Sequence, residues 1–307
     1  MTYSIVARDP QTGQLGVAVQ SHAFSVGPIV PWARAGIGAV ATQSIVEPGY
    51  GPKGLELMAG GLTAAEALAG LVAADEAADT RQVAMVDARG GVATHTGARC
   101  IPAAGHTQGE GFSCQANMML NVTVWDAMAA AYRAADGDLA ARLMAALHAA
   151  EAEGGDIRGR QSSALLVAAA EDTGRPWMYA DVLVDLRVED HPEPLLELER
   201  LLELERAFTH LDEADRRQQA GDWDGFWQEY SAAERHAPSD VELRFWRGVS
   251  LAEQGREQEA RAVLVEVYRR DTNWAELLRR LPVIDPALAD AQLIERLSAP
   301  PPGSRPA

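Results

Sequence analysis

The sequence predicts an α+β chain. Residues 1–205 are expected to form a four-layer αββα sandwich, residues 206–298 an all-α repeat-like domain, and residues 299–307 a disordered tail. Three observations carry this expectation. Apolar strand-like segments occur in hairpin pairs, which implies antiparallel sheets. Alanine-rich helical segments occur in two blocks instead of alternating singly with strands. This suits one helical layer on each outer face of two packed sheets and disfavours a doubly wound parallel fold. Beyond His191-Pro192 every segment reads as helical.

Taken in order, Tyr3–Arg8 and Leu15–Gln20 form a hairpin about the turn cluster Asp9-Pro10-Gln11-Thr12-Gly13. Gly36–Gln43, rich in small and β-branched residues, makes a third strand. Pro52 opens a helix over Lys53–Ala59. Thr63 then caps a second helix that runs to Ala74, with Glu66 completing a capping box. Gln82–Asp87 and Val92–Thr96 pair about Ala88-Arg89-Gly90-Gly91, and a less regular strand covers Gly111–Met119. Helices at Val124–Ala135 and Leu139–Glu153 are separated by Asp136-Gly137-Asp138, and strands at Ser163–Ala170 and Met178–Arg187 close the sandwich. Glu193–Phe208 is a charged amphipathic helix. Gly221 and Gly255 lie 34 residues apart in polar turns, with Pro238, Gly248 and Ala260 at positions that resemble tetratricopeptide repeats, although Phe226 stands where a small residue is expected. Two such units do not stabilise themselves. They are expected to lean on a helix around Trp274–Leu281 or on the first domain, and a homo-oligomer is expected.

Acidic residues outnumber basic ones 44 to 27, for a net charge of −17, and Lys53 is the only lysine. Such a field repels nucleic acid and anionic membranes. No basic start precedes an apolar run, and no segment approaches the ~20 apolar residues of a membrane span. Cys100 and Cys114 have no metal-ligand spacing and are expected as reduced thiols in a cytoplasm. No metal or cofactor is expected.

The chemistry concentrates at the start of the chain. Methionine is trimmed ahead of a residue as small as threonine, which would leave a free α-amino group on Thr2 at the head of a strand. One residue would then hold a nucleophilic hydroxyl and its own base. The reference pKa of an α-amine is about 7.7–8.0, and burial lowers it. Ser4 shares the face of Thr2 but lacks an adjacent amine. Ser21, His22, Gln43, Ser44 and Asn117, at strand ends, are candidate oxyanion donors, with His22 also a candidate base. The glycine-rich run Gly154–Ser163 gathers Asp156, Arg158, Arg160, Gln161 and Ser162, where an arginine fork suits a carboxylate ligand. Asp185, Arg187 and His191 form a second polar cluster. Lys53, in a loop entering a helix, is a candidate for depressing the amine pKa of Thr2.

The segments Thr2–Asp9, Gly16–Val19, Val30–Ala33, Gly38–Gln43, Tyr50–Pro52, Gly154–Asp156, Gly159–Ser162 and Asp185–Pro192 together resemble the family catalogued as domain of unknown function 1028, over roughly residues 1–200. The resemblance implies a fold similar to the N-terminal-nucleophile hydrolases. It matches Thr2 to the family's N-terminal hydroxyl residue. Asp156, Arg160, Gln161 and Ser162 match its glycine-rich motif, and Asp185, Arg187, Asp190 and His191 its closing motif. In the wider hydrolase superfamily a lysine or arginine assists the amine, and Arg34, Lys53 and Arg160 remain open for that role. The expected function is an amidohydrolase cleaving a small amide or N-acyl compound through Thr2. The alternative is a non-catalytic scaffold whose helical tail binds a partner protein.

Overall fold

The computed structural model describes residues 2–178 and 180–299. Apart from Ala299, the tail expected to be disordered lies outside the described residues. The chain divides into two units, one up to residue 202 and one from residue 203. The first combines two sheets with several helices, and the second is all-helical.

In the first unit, β1 (Thr2–Arg8) and β2 (Leu15–Ser21) form the expected hairpin. The Asp9 carboxylate accepts from the backbone N–H of Gln11 and Thr12 and so fixes the turn, which closes through Gly13 at φ 76°. Next come β3 (Pro31–Arg34), β4 (Gly38–Ser44), α1 (Tyr50–Ala59) and α2 (Ala64–Ala74). β5 (Arg81–Asp87), β6 (Val92–Thr96), β7 (Gly105–Gly109) and β8 (Phe112–Ala116) follow. α3 (Val124–Ala134), α4 (Leu139–Ala152), β9 (Ser162–Ala168) and β10 (Val182–Val188) complete the unit. The sheets run β10-β9-β2-β1-β8-β7 and β3-β4-β5-β6, with every pairing antiparallel.

Strand alternation assigns the cores. Tyr3, Ile5 and Ala7 pack against Leu143 and Leu147 of α4. On the other face of β1, Val6 joins Val17 and Val19 against Ala39, Ala41, Ala84 and Val86 of the smaller sheet. Alanines at that contact let the two sheets approach closely. Leu55, Met58 and Leu68 of α1 and α2 cover the outer face of the smaller sheet over Val40, Val83 and Met85. The layers are therefore helices, sheet, sheet, helices. The Thr63–Glu66 capping box forms as its sequence indicates, and Asp138 caps α4.

Several boundaries differ from the sequence expectation. β3 and β7 are additional strands. The strand expected from Gly36 starts at Gly38, because Gly36 sits in a turn at φ 67°. The strand expected from Met178 starts at Val182, because the Asp181 carboxylate instead holds the Thr173 and Arg175 N–H groups in a loop. α1 starts ahead of Pro52, which occupies the first turn where its missing N–H costs nothing. Gly51, also in that turn, lies under Trp32, and a Cβ there would come within 2.3 Å of the indole ring. Gly51→Ala is accordingly expected to destabilise the chain by about 1–3 kcal/mol. Chemical denaturation measures this, and an unchanged midpoint would show that the indole moves aside freely.

The last long helix, α5 (Pro194–Gln219), continues past Phe208 because nothing breaks it before Gly221, at φ 75°. The second unit then holds α6 (Trp223–His236), α7 (Val241–Glu253), α8 (Glu257–Arg270), α9 (Asn273–Arg280) and α10 (Ala291–Leu297). Gly255, at φ 73°, turns between α7 and α8. Gly248 admits Leu264 so closely that a Cβ would meet it at 2.6 Å. No described helix is long and apolar enough to cross a membrane.

Candidate functional site

Thr2 stands at the head of β1, on the face that looks toward the smaller sheet, and is only 6% exposed. Register places it opposite Ser21, and its Oγ1 donates to Ser21 Oγ at 3.1 Å. Its N–H donates to the Asn117 carbonyl at 3.3 Å, and its own carbonyl accepts from Asn117 N at 3.1 Å. The side-chain amides of Asn117 and Gln43 donate to the same carbonyl at 3.3 and 3.2 Å. Both amides also reach Gln82 Oε1, at 2.8 and 2.7 Å. Ser4 donates to Gln43 Oε1 at 2.7 Å and accepts from Gln115 Nε2 at 2.6 Å. A buried polar layer thus stitches the two sheets together at the end where Thr2 sits. It extends through Gln82 Nε2 to Thr96 Oγ1 (3.0 Å) and on to His106 Nδ1 (2.9 Å). Burial, and then His95, lower the His106 pKa, which favours the neutral ring.

Buried amides are normally fully matched. Here three acceptor-capable atoms have no partner among the described residues: Asn117 Oδ1, Gln115 Oε1 and Ser44 Oγ. Ser44 also adopts φ 75°, a conformation that favours glycine.

The opposite face of the hairpin carries charge. The Tyr3 hydroxyl contacts Gln20 Oε1 and Glu151 Oε1. Glu151 takes Arg160 Nε at 2.7 Å, and Arg160 also pairs with Glu193. Burial, reinforced by Glu151, raises the Tyr3 pKa well above its ordinary value and keeps the phenol protonated.

The glycine-rich run passes beside this face, with Gly154, Gly155 and Gly159 all at positive φ. Its anchor is Asp156, whose carboxylate accepts from His22 N (3.2 Å), Arg158 N (3.0 Å) and Arg158 Nη2 (2.7 Å). Burial would raise the Asp156 pKa, but the Arg158 side chain and backbone donors outweigh it and hold the carboxyl below its usual range. His22 Nδ1 lies 3.2 Å from the Arg160 carbonyl, and Gln161 N donates to the Ser21 carbonyl at 3.2 Å. Ser162 Oγ takes the Val26 N–H and donates to the Ala23 carbonyl, tying down the loop after β2. His191 joins through its N–H to the Gln161 carbonyl at 2.8 Å.

Of the residues singled out from sequence, Thr2, Ser21, Gln43 and Asn117 converge directly, and Ser44 adjoins Gln43. His22, Asp156, Arg160, Gln161, Ser162 and His191 form the adjoining loop system. The remainder lie elsewhere. Lys53 lines a cavity with Glu47, Tyr50 and Asp75 beside α1, because helix formation from Tyr50 carries it to that surface. Arg34 pairs with Asp172 at 3.2 Å. Asp185 and Arg187 pair with each other at 3.0 Å on β10, an edge strand of the larger sheet.

Sequence reasoning missed Gln82, Gln115, Gln20, Tyr3 and Glu151. A signal existed: each of four strands carries one glutamine near the same end, and all four glutamines are buried.

The second unit has its own cavity, of about 430 Å³, lined by Tyr230, Trp246, Asp215, Glu253 and Asp285 among others. Burial, and then a hydrogen bond with Asp285, push Glu253 up to about 7. A raised carboxyl pKa favours folding below its ordinary value near 4.5, and that contribution disappears as pH rises through 7. Glu253→Gln is therefore expected to match wild-type stability at pH 4.5 and to exceed it at pH 8, by on the order of 1–2 kcal/mol after allowance for solvent screening. Thermal unfolding at the two pH values checks this, and a gap independent of pH would sink it.

Residues 2–198 match the model of a family of unknown function, DUF1028. The crystal structure of protein SPO2555 from Silicibacter pomeroyi, carrying the same family assignment, is similar at 30% identity with a TM-score of 0.59. The match covers 66% of this chain and 87% of that one. No curated protein matches.

Proposed function

We propose an amide-hydrolysing function for this chain, which belongs to the DUF1028 family of unknown function. The nucleophile is the Thr2 hydroxyl, made competent by cleavage of the Met1–Thr2 bond. One observation carries this reading. Thr2 Oγ1 is buried and hydrogen-bonded to Ser21, and among the described residues no histidine, lysine or carboxylate side chain is bonded to it. A base for this hydroxyl must then come from its own nitrogen.

In the proposed reaction, Ser21 orients Oγ1 for attack on the substrate carbonyl. The hydroxyl proton passes to the Thr2 amine, which the Asn117 carbonyl holds in place. The tetrahedral intermediate collapses as that proton moves to the leaving nitrogen, leaving an ester on Thr2. Water, deprotonated by the same amine, then releases the acid. The likeness to the N-terminal-nucleophile hydrolases belongs to this proposal, supported by the helix–sheet–sheet–helix layering and the strand-head threonine.

Intact-mass spectrometry of the purified chain, followed by labelling with a hydroxyl-directed β-lactone, tests it. The expected result is a chain that starts at Thr2 and carries one adduct on that residue. Retention of Met1 on essentially every molecule would end the proposal.

A second reading assigns partner binding to the helical unit. Its support is the 430 Å³ cavity, where aromatic and carboxylate groups meet. Pull-downs with and without residues 209–307 discriminate, since an unchanged set of partners removes its basis.

A further inference from the structure

Six large apolar side chains are exposed at the end of the first unit where Thr2 sits. Phe24, Ile45, Ile101, Leu120, Val122 and Ile157 range from 38% exposed at Ile101 to 69% at Phe24. All six lie on loops at the sheet end where β1 begins. Phe24 follows the end of β2, Ile45 the end of β4, and Leu120 and Val122 the end of β8. Ile101 precedes β7, and Ile157 precedes β9. Register ties these ends together through Thr2↔Ser21, Tyr3↔Ala116 and Ser21↔Ser162. Backbone bonds draw the rim close: Met118, next to Asn117, donates to the Ile101 carbonyl at 2.9 Å and accepts from Ile157 N at 3.2 Å. Off these loops, Leu62, Trp177 and Leu196 are the large apolar side chains of the first unit exposed to this degree among the described residues.

Scattered exposed apolar residues need no explanation, but six gathered on the loops of one sheet end do. They share this end with the buried polar layer around Thr2, where Asn117 is fully buried and, among the described residues, its Oδ1 has no donor. The charged groups nearby are already committed to each other, Asp156 with Arg158 and Glu151 with Arg160. A charged ligand would find no free countercharge among them, whereas an aliphatic one would find the exposed apolar side chains.

We infer that this end of the sandwich binds secondary N-acyl amides with an aliphatic acyl chain, the chain lying on the apolar rim and the amide carbonyl at Thr2. The inference rests on the Thr2 hydrolase reading for its chemistry, but its binding component stands separately. The test uses a series of N-acyl-p-nitroanilides from acetyl to decanoyl. Calorimetry on the full-length Thr2→Ala chain reads binding, and release of nitroaniline by the wild type reads turnover. Binding is expected to tighten about three- to fourfold per methylene over the first several carbons. The double substitution Leu120→Asn, Ile157→Asn is expected to flatten that dependence. Affinity independent of chain length, or a dependence that survives the double substitution, overturns the inference. So does a rim buried by a second copy, seen as ligand affinity that falls as protein concentration rises. Chain-length-dependent binding without any turnover leaves this inference standing and removes the hydrolase reading instead.

Discussion

Thr2→Ala is expected to abolish amide turnover, by on the order of 10⁴-fold or more, while leaving the chain folded. Alanine is also small enough for the preceding methionine to be trimmed, so the variant keeps a terminal amine and loses the hydroxyl together with the γ-methyl. The stability cost is that of one hydrogen bond to Ser21, about 1 kcal/mol. Thr2→Ser retains the nucleophile and is expected to keep measurable activity, although the lost methyl loosens the hydroxyl's orientation. A purely structural role for Thr2 would give the opposite pattern, with similar turnover in both variants. Steady-state rates on a decanoyl anilide, paired with mass analysis to verify trimming, decide the matter. Turnover within tenfold of wild type in Thr2→Ala would rule out the nucleophile.

How much of this was legible in the sequence depends on the range over which each interaction acts. Local rules worked where the partners are near in sequence. The Asp9 turn, the Thr63–Glu66 box and the Gly221 and Gly255 turns each involve residues within five positions of one another. Placement of Thr2 at the head of β1 and of Ser21 at the end of β2 was also legible, and the tight hairpin then sets them opposite one another. The polar layer was harder to see. Ser4 meets Gln43 at a separation of 39 residues and Gln115 at 111, and only the stacking of two sheets brings them together. Tyr3 and Glu151 are 148 residues apart. Lys53 was a candidate for its place in a loop entering a helix, and Arg34 for the amine-assisting cation that the family resemblance implied, yet neither argument says which surface a helix or an edge strand presents. β3 and β7 escaped notice because they are short outer strands, and β7 shows no apolar alternation.

The second large effect concerns Asp156, which links the glycine-rich run to the loop after β2. Its side chain is fully buried, and it satisfies backbone donors on His22 and Arg158 together with the Arg158 guanidinium. Asp156→Ala removes the acceptor and leaves those donors unmatched, one of them charged. Losing one partner of a buried pair is costly, and with Arg158 partly exposed the expected penalty is about 2–4 kcal/mol. In a chain of two units the loss is best read locally, by hydrogen exchange at the His22 and Arg158 amides. Both are expected to exchange faster in the variant at pH 7. The sign with pH follows from the depressed pKa. Stability from a carboxyl held below its usual range is present above the unfolded value near 4 and is lost as pH falls through the lower folded value. Wild type and variant should therefore differ by a constant amount from pH 5 to 8 and converge below pH 4. A difference that persists undiminished at pH 3 would mean that packing, not charge, anchors the loop. Because His22 directly follows Ser21, loosening this anchor also releases the hydroxyl that orients Thr2. Asp156→Ala should then lower turnover as well as stability.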